Sequence, residues 1–244
     1  MVVGGMTDPK GDRSLSPAKQ ADPDLFTHVV ERRSDGIVIR GAKAHMTGGV
    51  NSHEIVIMPT QAMREEDRDY ALVCALPLNA PGVVLIFGRQ TNEERKFEEG
   101  IDAGNPYGLV GGEALIIFDN VFVPWERVFH CGEVPYSVKF VTRFARTHRM
   151  TCGGTCKVGF MNQIIGAAKL IQEYKGLQKA THINEELMEM VVLRETGRAC
   201  GLAAAHRGEE EPVGSGVFLP DELMGNVSKL NICNAFWRVM ALAG

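Results

Sequence analysis

The segment from residue 148 to residue 157 concentrates side chains that can do chemistry. It reads His148-Arg-Met-Thr-Cys152-Gly-Gly-Thr-Cys156-Lys157, which places an imidazole, two thiols and an amine close together. In an α-helix each residue advances about 100°, so His148, Cys152 and Cys156 would follow one face at four-residue intervals. Imidazole and thiolate groups bind zinc and iron–sulfur clusters. A metal site is therefore one interpretation of this face.

Three such side chains do not complete a four-ligand site, and their spacing is not that of a zinc ribbon or a ferredoxin. A fourth ligand would have to come from Cys131, His130, another chain or another segment. Two inert thiols buried in a helix are the alternative, because cysteine is among the most frequently buried residues. Gly153 and Gly154 each weaken a helix by roughly 1 kcal/mol relative to alanine. They predict a break, a bulge or a close backbone approach.

Two further side chains are candidates, each with a plain alternative. Lys157 could stand beside an anionic intermediate or cofactor, or it could be a solvated surface lysine. Glu113 begins an apolar run, where a carboxylate could act as an acid or a base, or it could be an exposed residue at the start of a strand.

Residues 7–12 carry hydroxyl, carboxylate and backbone groups suited to the edge of a flavin ring or a phosphate. Residues 43–49 follow a predicted strand and could return the chain to the same place, although each segment would also pass as an ordinary loop. The chain has neither a Walker loop nor G-x-G-x-x-G after a strand, so a Rossmann-type cofactor site is not supported.

Composition limits the class of protein. The chain has 244 residues, of which 45% are hydrophobic, and a net charge of −4. It lacks the lysine and arginine surplus typical of proteins whose main partner is nucleic acid. No apolar run approaches the ~18 residues of a membrane span. Six cysteines spread through an ordinary globular composition predict a soluble protein in a reducing, cytoplasmic compartment.

The order of the predicted elements is strands followed by helices, which indicates an α+β protein. Short strands at this spacing favour an antiparallel barrel or sandwich, and a helical bundle follows. We predict a β domain over residues 1–135 and an incomplete helical domain over residues 136–244, with the third helix beginning at Leu219-Pro220. The predicted strands are 28–33, 37–43, 55–58, 70–77, 82–87, 114–118 and 121–124, and the apolar residues recur at helical spacing over 160–171 and 183–205.

Four motifs in order resemble the 4-hydroxyphenylacetate 3-hydroxylase family, and within it the 4-hydroxybutyryl-CoA dehydratase branch. They are Met6-Thr-Asp-Pro-Lys-Gly-Asp-Arg-Ser, Gly41-Ala-Lys-Ala-His-Met-Thr-Gly, Phe118-Asp-Asn-Val-Phe-Val-Pro and Gly153-Gly…Cys156-Lys-Val-Gly. The resemblance implies an acyl-CoA dehydrogenase-like fold and a homotetramer. This chain would be the middle β domain and part of the C-terminal helical domain, with a helical domain preceding it.

The resemblance also implies the cofactors FAD and a [4Fe-4S] cluster. His148 and Cys156 match two of the four cluster ligands, and the other two would be a C-x-x-x-C pair in the preceding domain. Lys157 and Glu113 match polar residues near the substrate, where His148 could also act as a base. The positions that match flavin contacts are Met6, Thr7, Asp8, Lys10, Asp12, Arg13, His45, Met46 and Thr47.

The implied activity is dehydration of a 4-hydroxyacyl-CoA such as 4-hydroxybutyryl-CoA, with vinylacetyl-CoA Δ-isomerase as a second activity. Two departures put the substrate in question: Cys152 stands where the dehydratase has a tyrosine, and the interval from His148 to Cys156 is one residue longer. Cys152 is thus an alternative cluster ligand. The other interpretations are a reduced-flavin-dependent aromatic 3-monooxygenase and a truncated chain without catalytic activity.

Overall fold

The computed structural model describes residues 1–87 and 113–244. The chain divides into two compact units, Met1–Val141 and Thr142–Gly244, and each is described by itself. Within the described residues, none of the helices is both long and apolar enough to cross a bilayer.

The first unit contains two four-stranded sheets. In one, the strand order is β1-β4-β5-β8, and in the other it is β2-β3-β7-β6. All pairs are antiparallel except β1 and β4, which run parallel. The strands are β1 (Val2–Gly5), β2 (His28–Arg32), β3 (Gly36–Thr47), β4 (Glu54–Ile57), β5 (Leu72–Pro77), β6 (Val83–Phe87), β7 (Glu113–Pro124) and β8 (Val128–Cys131).

One hydrophobic core lies between the two sheets. Ile55 and Leu76 enter it from the first sheet, and Ile39, Ile116 and Phe118 enter it from the second, each at most 1% exposed. Because side chains alternate along a strand, one face of each sheet supplies this layer. The unit is therefore a sandwich, one of the two architectures that the strand spacing predicts.

Two edge strands and the length of the central strands differ from the sequence prediction. Strands β1 and β8, of four residues each, were not predicted, and the segment after Arg127 continues as a strand before it becomes helical. Residues 43–47 of the expected loop over 43–49 are instead the end of β3, and the predicted strands 114–118 and 121–124 are one continuous strand, β7. Bulges allow β3 and β7 to remain paired over this length. His45 and Asn120, with φ values of 57° and 52°, lie where the register between the two strands shifts.

The second unit is built from helices. Helix α1 (Val134–Thr151) begins before the division at residue 142, and its later part belongs to this unit. It continues into a π-helical turn, Cys152–Cys156, which we call the π-turn, and then into α2 (Lys157–Tyr174). Helices α3 (Thr181–His206) and α4 (Glu222–Ala243) complete the bundle, and a short hairpin of β9 (Glu209–Glu210) and β10 (Phe218–Leu219) joins them. The third predicted helix begins slightly later than expected, because Asp221 caps it by accepting from the Met224 amide at 2.7 Å.

Glycines allow close contacts between the helices of the bundle. A Cβ added at Gly153 would lie 2.3 Å from Ser228 Oγ of α4, and one at Gly154 would lie 2.6 Å from the Gly201 Cα of α3. Both glycines are buried. The π-turn therefore lies directly against the backbones of two neighbouring helices, so the bulge and the close approach predicted for this pair are both observed.

We expect Gly154→Ala to destabilise the second unit by about 1–3 kcal/mol, because the added methyl group meets backbone that cannot rotate away. Gly159→Ala is the matched control in α2, since its added Cβ meets no atom within 4 Å. That change should stabilise the unit by roughly 0.4–1 kcal/mol, as alanine restricts the unfolded chain. Urea midpoints followed by Trp237 fluorescence in a Trp125→Phe background report this unit alone. Equal midpoints for the two variants would contradict the packing argument.

Candidate cofactor and active site

The π-turn determines how His148 and Cys156 are related along the helix. At about 100° per residue, an eight-residue interval would separate their positions by about 80° around the axis. A turn closed by i→i+5 hydrogen bonds contains roughly one residue more than an α-helical turn, so the eight-residue interval is equivalent to about seven α-helical steps. Seven steps place His148 and Cys156 only ~20° apart around the helix axis. The π-turn thus brings the two ends of an eight-residue interval back to nearly one face.

His148 lies at the end of α1 with an exposed ring. The ring stacks on Phe144, with centroids 6.1 Å apart and planes 7° from parallel. Partial desolvation first, and then the positive charges of Lys229 and Arg149, lower the pKa of His148 below its ordinary value. Its imidazole is therefore mostly neutral at pH 7, which is the form that binds a metal or accepts a proton.

Cys156 and Lys157 lie at the other end of the π-turn. The Cys156 thiol is free and exposed. Lys157 is half-buried, and its Nζ lies 5.3 Å from the centroid of the Phe160 ring and 5.6 Å from that of Phe236. Two aromatic faces hold this ammonium group by cation–π attraction, so it is not the freely solvated lysine of the alternative interpretation.

Cys152 is held by a residue that the sequence did not single out. Lys229 of α4 donates from Nζ to Cys152 Sγ at 3.0 Å. This hydrogen bond is the largest cause that raises the pKa of Lys229, and the Cys233 thiol contributes in the same direction. Cys152 therefore differs from Cys156 in its surroundings, although both are in the π-turn.

Among the described residues, no three His, Cys, Asp or Glu side chains are grouped so that they could hold a metal ion. The two side chains considered as a fourth ligand have other contacts within the first unit. His130 is buried, with Nδ1 3.2 Å from Glu133 Oε2 and its ring against Phe140. Burial first raises the pKa of the Cys131 thiol, which disfavours the thiolate. His148 and Cys156 would thus be an incomplete ligand set by themselves.

The loop from Met6 to Arg13 is fixed by a buried ion pair. Lys43 and Asp8 are 2% and 3% exposed, and Lys43 Nζ donates to Asp8 Oδ1 at 2.6 Å and to the carbonyl oxygens of Met6 and Met58 at 3.2 and 2.9 Å. Thr60 donates from Oγ1 to Asp8 Oδ2, and the Thr27 amide donates to Asp8 Oδ1 at 3.3 Å. Burial is the dominant cause that lowers the pKa of Lys43, and the Asp8 charge opposes it.

The outer part of the same loop closes on itself. Asp12 accepts from the amide and the hydroxyl of Ser14 at 2.8 and 2.6 Å, which lowers the pKa of Asp12. Gln20 donates from Nε2 to the Asp12 carbonyl oxygen and accepts from the Asp12 amide. Lys10 and Arg13 remain exposed. Thr7 is tied to β3 by its carbonyl oxygen, which accepts from the Ala44 amide at 2.8 Å. The loop therefore presents two cations from a fixed backbone.

The end of β3 and the start of β7 bring three of the predicted residues together. Thr47 donates from Oγ1 to Glu113 Oε1 at 3.0 Å, and His45 Nδ1 lies 3.4 Å from Glu113 Oε2. Glu113 is exposed, as in the alternative interpretation of that residue. Met46 points the other way into the core at 3% exposure, so only its backbone is available to a cofactor. The roles of these residues stay predictions.

One cavity of the described residues lies away from these side chains. It measures about 150 Å³ and lies in the second unit between α2, α3 and α4, lined by side chains that include Ile171, Leu187 and Leu242. It contains none of the predicted site residues, and its lining combines apolar side chains with the polar groups of Gln172, Lys175 and Glu186. We therefore take the side-chain groups above, and not this cavity, as the candidate site.

Family comparison identifies the chain. The profile of the 4-hydroxyphenylacetate 3-hydroxylase N-terminal region matches residues 1–130, and that of the C-terminal region matches residues 137–244. The chain belongs to the 4-hydroxyphenylacetate 3-hydroxylase family. It is 50% identical over 245 aligned residues to the 4-hydroxybutyryl-CoA dehydratase/vinylacetyl-CoA-Δ-isomerase of Clostridium aminobutyricum, across 100% of this chain and 49% of the relative.

Solved structures of this family match both units. An oxygen-tolerant archaeal 4-hydroxybutyryl-CoA dehydratase from N. maritimus superposes with a TM-score of 0.94 at 45% identity, over 100% of this chain and 48% of that one. The oxygenase component of 4-hydroxyphenylacetate 3-monooxygenase, complexed with FAD and 4-hydroxyphenylacetate, superposes with a TM-score of 0.82 at 26% identity, over 99% of this chain and 50% of that one. A probable acyl-CoA dehydrogenase from Mycobacterium abscessus superposes with a TM-score of 0.65 at 16% identity, over 100% of this chain and 57% of that one.

The α+β, acyl-CoA dehydrogenase-like fold is therefore confirmed, together with the family and its dehydratase branch as the more similar relatives. The chain spans about half the length of the relatives that it matches.

We expect Lys43→Met to destabilise the first unit by about 3–5 kcal/mol, because it leaves the Asp8 carboxylate buried without its cation. Replacing both partners, in Lys43→Met/Asp8→Asn, removes the unpaired charge and should be less destabilising than Lys43→Met alone. Trp125, whose Nε1 donates to the Arg33 carbonyl oxygen at 3.1 Å, reports this unit by fluorescence in a Trp237→Phe background. A urea midpoint for Lys43→Met equal to that of the parent would show that the ion pair does not hold the loop.

Proposed function

We propose that the protein dehydrates a 4-hydroxyacyl-CoA of the 4-hydroxybutyryl-CoA type, with vinylacetyl-CoA Δ-isomerase as a second activity. The observation that carries the proposal is the identity of 50% to the clostridial dehydratase/isomerase over all of this chain. Monooxygenase relatives in the same family are 27–29% identical. Hydroxylation of a 4-hydroxyphenylacetate-type phenol is accordingly the second candidate.

FAD is the first proposed cofactor, and the first unit supplies the groups suited to it. The exposed cations of Lys10 and Arg13 stand on a loop whose backbone Asp8 and Lys43 fix, and they suit the diphosphate of FAD. Thr47 and Glu113 form a hydrogen-bonded pair that could accept or donate at a ring edge. A family structure complexed with FAD supports this assignment.

A [4Fe-4S] cluster is the second proposed cofactor, with His148 and Cys156 as ligands. The residues fit this role, because Cys156 offers a free exposed thiol and His148 a neutral imidazole, and the π-turn returns both to one helical face. When bound, FAD and the cluster together supply electron transfer and a Lewis acid for the leaving hydroxyl group. Two further cysteine ligands would come from chain outside these 244 residues.

The remaining polar groups have roles toward the substrate. Lys157 carries a positive charge that two aromatic rings hold in place, and it would stabilise negative charge on a thioester carbonyl oxygen. Glu113 would bind or transfer a proton at its carboxylate, with Thr47 fixing one of its oxygens. His148 would accept a proton only while it is not coordinated, since ligation and basicity use the same lone pair.

A homotetramer is proposed on the family resemblance. Helix α4 carries apolar side chains on its surface, with Leu223 64%, Leu230 66% and Trp237 75% exposed in the single chain. Exposed apolar surface of this kind is what assembly, or further chain, would cover.

The decisive assay uses the protein that contains this chain, purified without oxygen. We expect it to convert 4-hydroxybutyryl-CoA to crotonyl-CoA and to contain FAD, both measured by liquid chromatography. Hydroxylation of 4-hydroxyphenylacetate with reduced flavin and oxygen, in place of dehydration, would establish the second candidate. Protein that contains FAD but has neither activity would contradict both substrate assignments, while the proposed flavin site would still be supported.

Cluster ligation is tested by metal content. Cys156→Ser should lose most of the iron and acid-labile sulfide while it retains FAD, because the proposed flavin contacts lie in the first unit. Cys233→Ser is the matched control, as Cys233 is likewise exposed and in the same unit. Iron content that is equal in the two variants would rule out Cys156 as a ligand.

A further inference from the structure

Lys229 and Cys152 form an amine–thiol pair to which the proposed function assigns no role. Their Nζ and Sγ atoms are 3.0 Å apart, and Cys152 is partly exposed. The contact joins two elements that are 77 residues apart in sequence, the π-turn and α4. A second thiol, that of Cys233 one turn later on α4, also acts on the Lys229 ammonium group. One lysine is therefore placed among two cysteines.

The position of the pair is fixed from both sides. Gly153, which follows Cys152, lies against Ser228, which precedes Lys229, so closely that a Cβ at Gly153 would meet Ser228 Oγ at 2.3 Å. The backbones that carry the thiol and the amine thus cannot separate without opening this close helix contact. Reactive groups held in contact in this way gain the advantage of an intramolecular reaction.

We propose that Cys152 and Lys229 are an oxidation site, at which dioxygen joins the two side chains through one bridging oxygen atom, Nζ–O–Sγ. At the observed separation of 3.0 Å the two heavy atoms are in direct contact, so a bridge of one oxygen atom requires only that the two side chains draw slightly closer. The site is a modification site in its own right, and it does not depend on which substrate the protein takes.

The reaction balances with dioxygen as the oxidant. One N–H bond of the Lys229 amine and the S–H bond of Cys152 break, and N–O and O–S bonds form. The second oxygen atom leaves as water with those two hydrogens, and the additional proton of the ammonium form passes to solvent. Nitrogen and sulfur each lose two electrons, and the four electrons reduce dioxygen. A dithiol reductant would reverse the bridge and restore the amine and the thiol.

The bridge would have a mechanical consequence. It would close a covalent loop between the π-turn and α4, which restricts the unfolded chain as a disulfide does. Oxidised protein should therefore unfold at a higher temperature than reduced protein, and the increase should disappear after reduction.

The test exposes the reduced full chain to air-saturated buffer and analyses tryptic peptides by mass spectrometry. We expect a cross-linked pair of peptides that contain Cys152 and Lys229, heavier than their sum by one oxygen less two hydrogens and separated again by dithiothreitol. Thermal unfolding measured on the same samples should show the reversible increase in Tm.

Two variants distinguish the bridge from other oxidation. Lys229→Arg keeps the charge but should abolish the cross-link and the reversible Tm increase, whereas Cys233→Ser should keep both. The proposal is overturned if Cys152 forms only a sulfinic acid or a disulfide with Cys233, or if no cross-link forms. It is equally overturned if the cross-link persists in Lys229→Arg.

Discussion

The candidate ligand segment depends on helix contacts that are made without side chains. Gly153 lies against Ser228 and Gly154 lies against Gly201, so the π-turn approaches α4 and α3 at backbone distance. Side chains of any size there would push the turn outward. This contact therefore positions the backbone of the π-turn, from which the segment presents Cys152 and Cys156.

The first unit relies on an opposite kind of interaction, a charge pair in the interior. A lysine and an aspartate that are almost fully buried would each be costly alone, but together, with two carbonyl oxygens and a threonine, their polar atoms have partners. The pair attaches the Met6–Arg13 loop to the side of the sandwich. The loop therefore presents its exposed cations from a backbone that polar contacts hold.

Local patterns were sufficient to predict most of the elements. The hairpin of β2 and β3 follows from an Asp-Gly turn between two β-rich runs, and α2 and α3 follow from apolar residues at helical spacing. The bulge at Gly153-Gly154 was also predictable, since two adjacent glycines weaken an α-helix. Strands β1 and β8 were missed because each has four residues and pairs with partners distant in sequence.

The site was predictable in its residue types but not in its contacts. Asp8 was predicted as a flavin contact, yet its partner Lys43 is 35 residues away in sequence. Lys229 gave no signal, because a lysine on a helix is usually solvated and its cysteine neighbour is 77 residues distant. Contacts of this range depend on the packing of whole elements, which single-sequence patterns do not specify.

The glycine contacts also determine where along the helix the π-turn, with its one residue more than an α-helical turn, can lie. A π-turn can in general shift along a helix, because its hydrogen-bond partners can be exchanged one residue at a time. Here only the two positions without a Cβ fit against Ser228 and Gly201, so a shift by one residue would press Cys152 or Thr155 into one of those contacts. The irregularity is therefore stationary, and the phase between His148 and Cys156 is as permanent as the packing of the bundle.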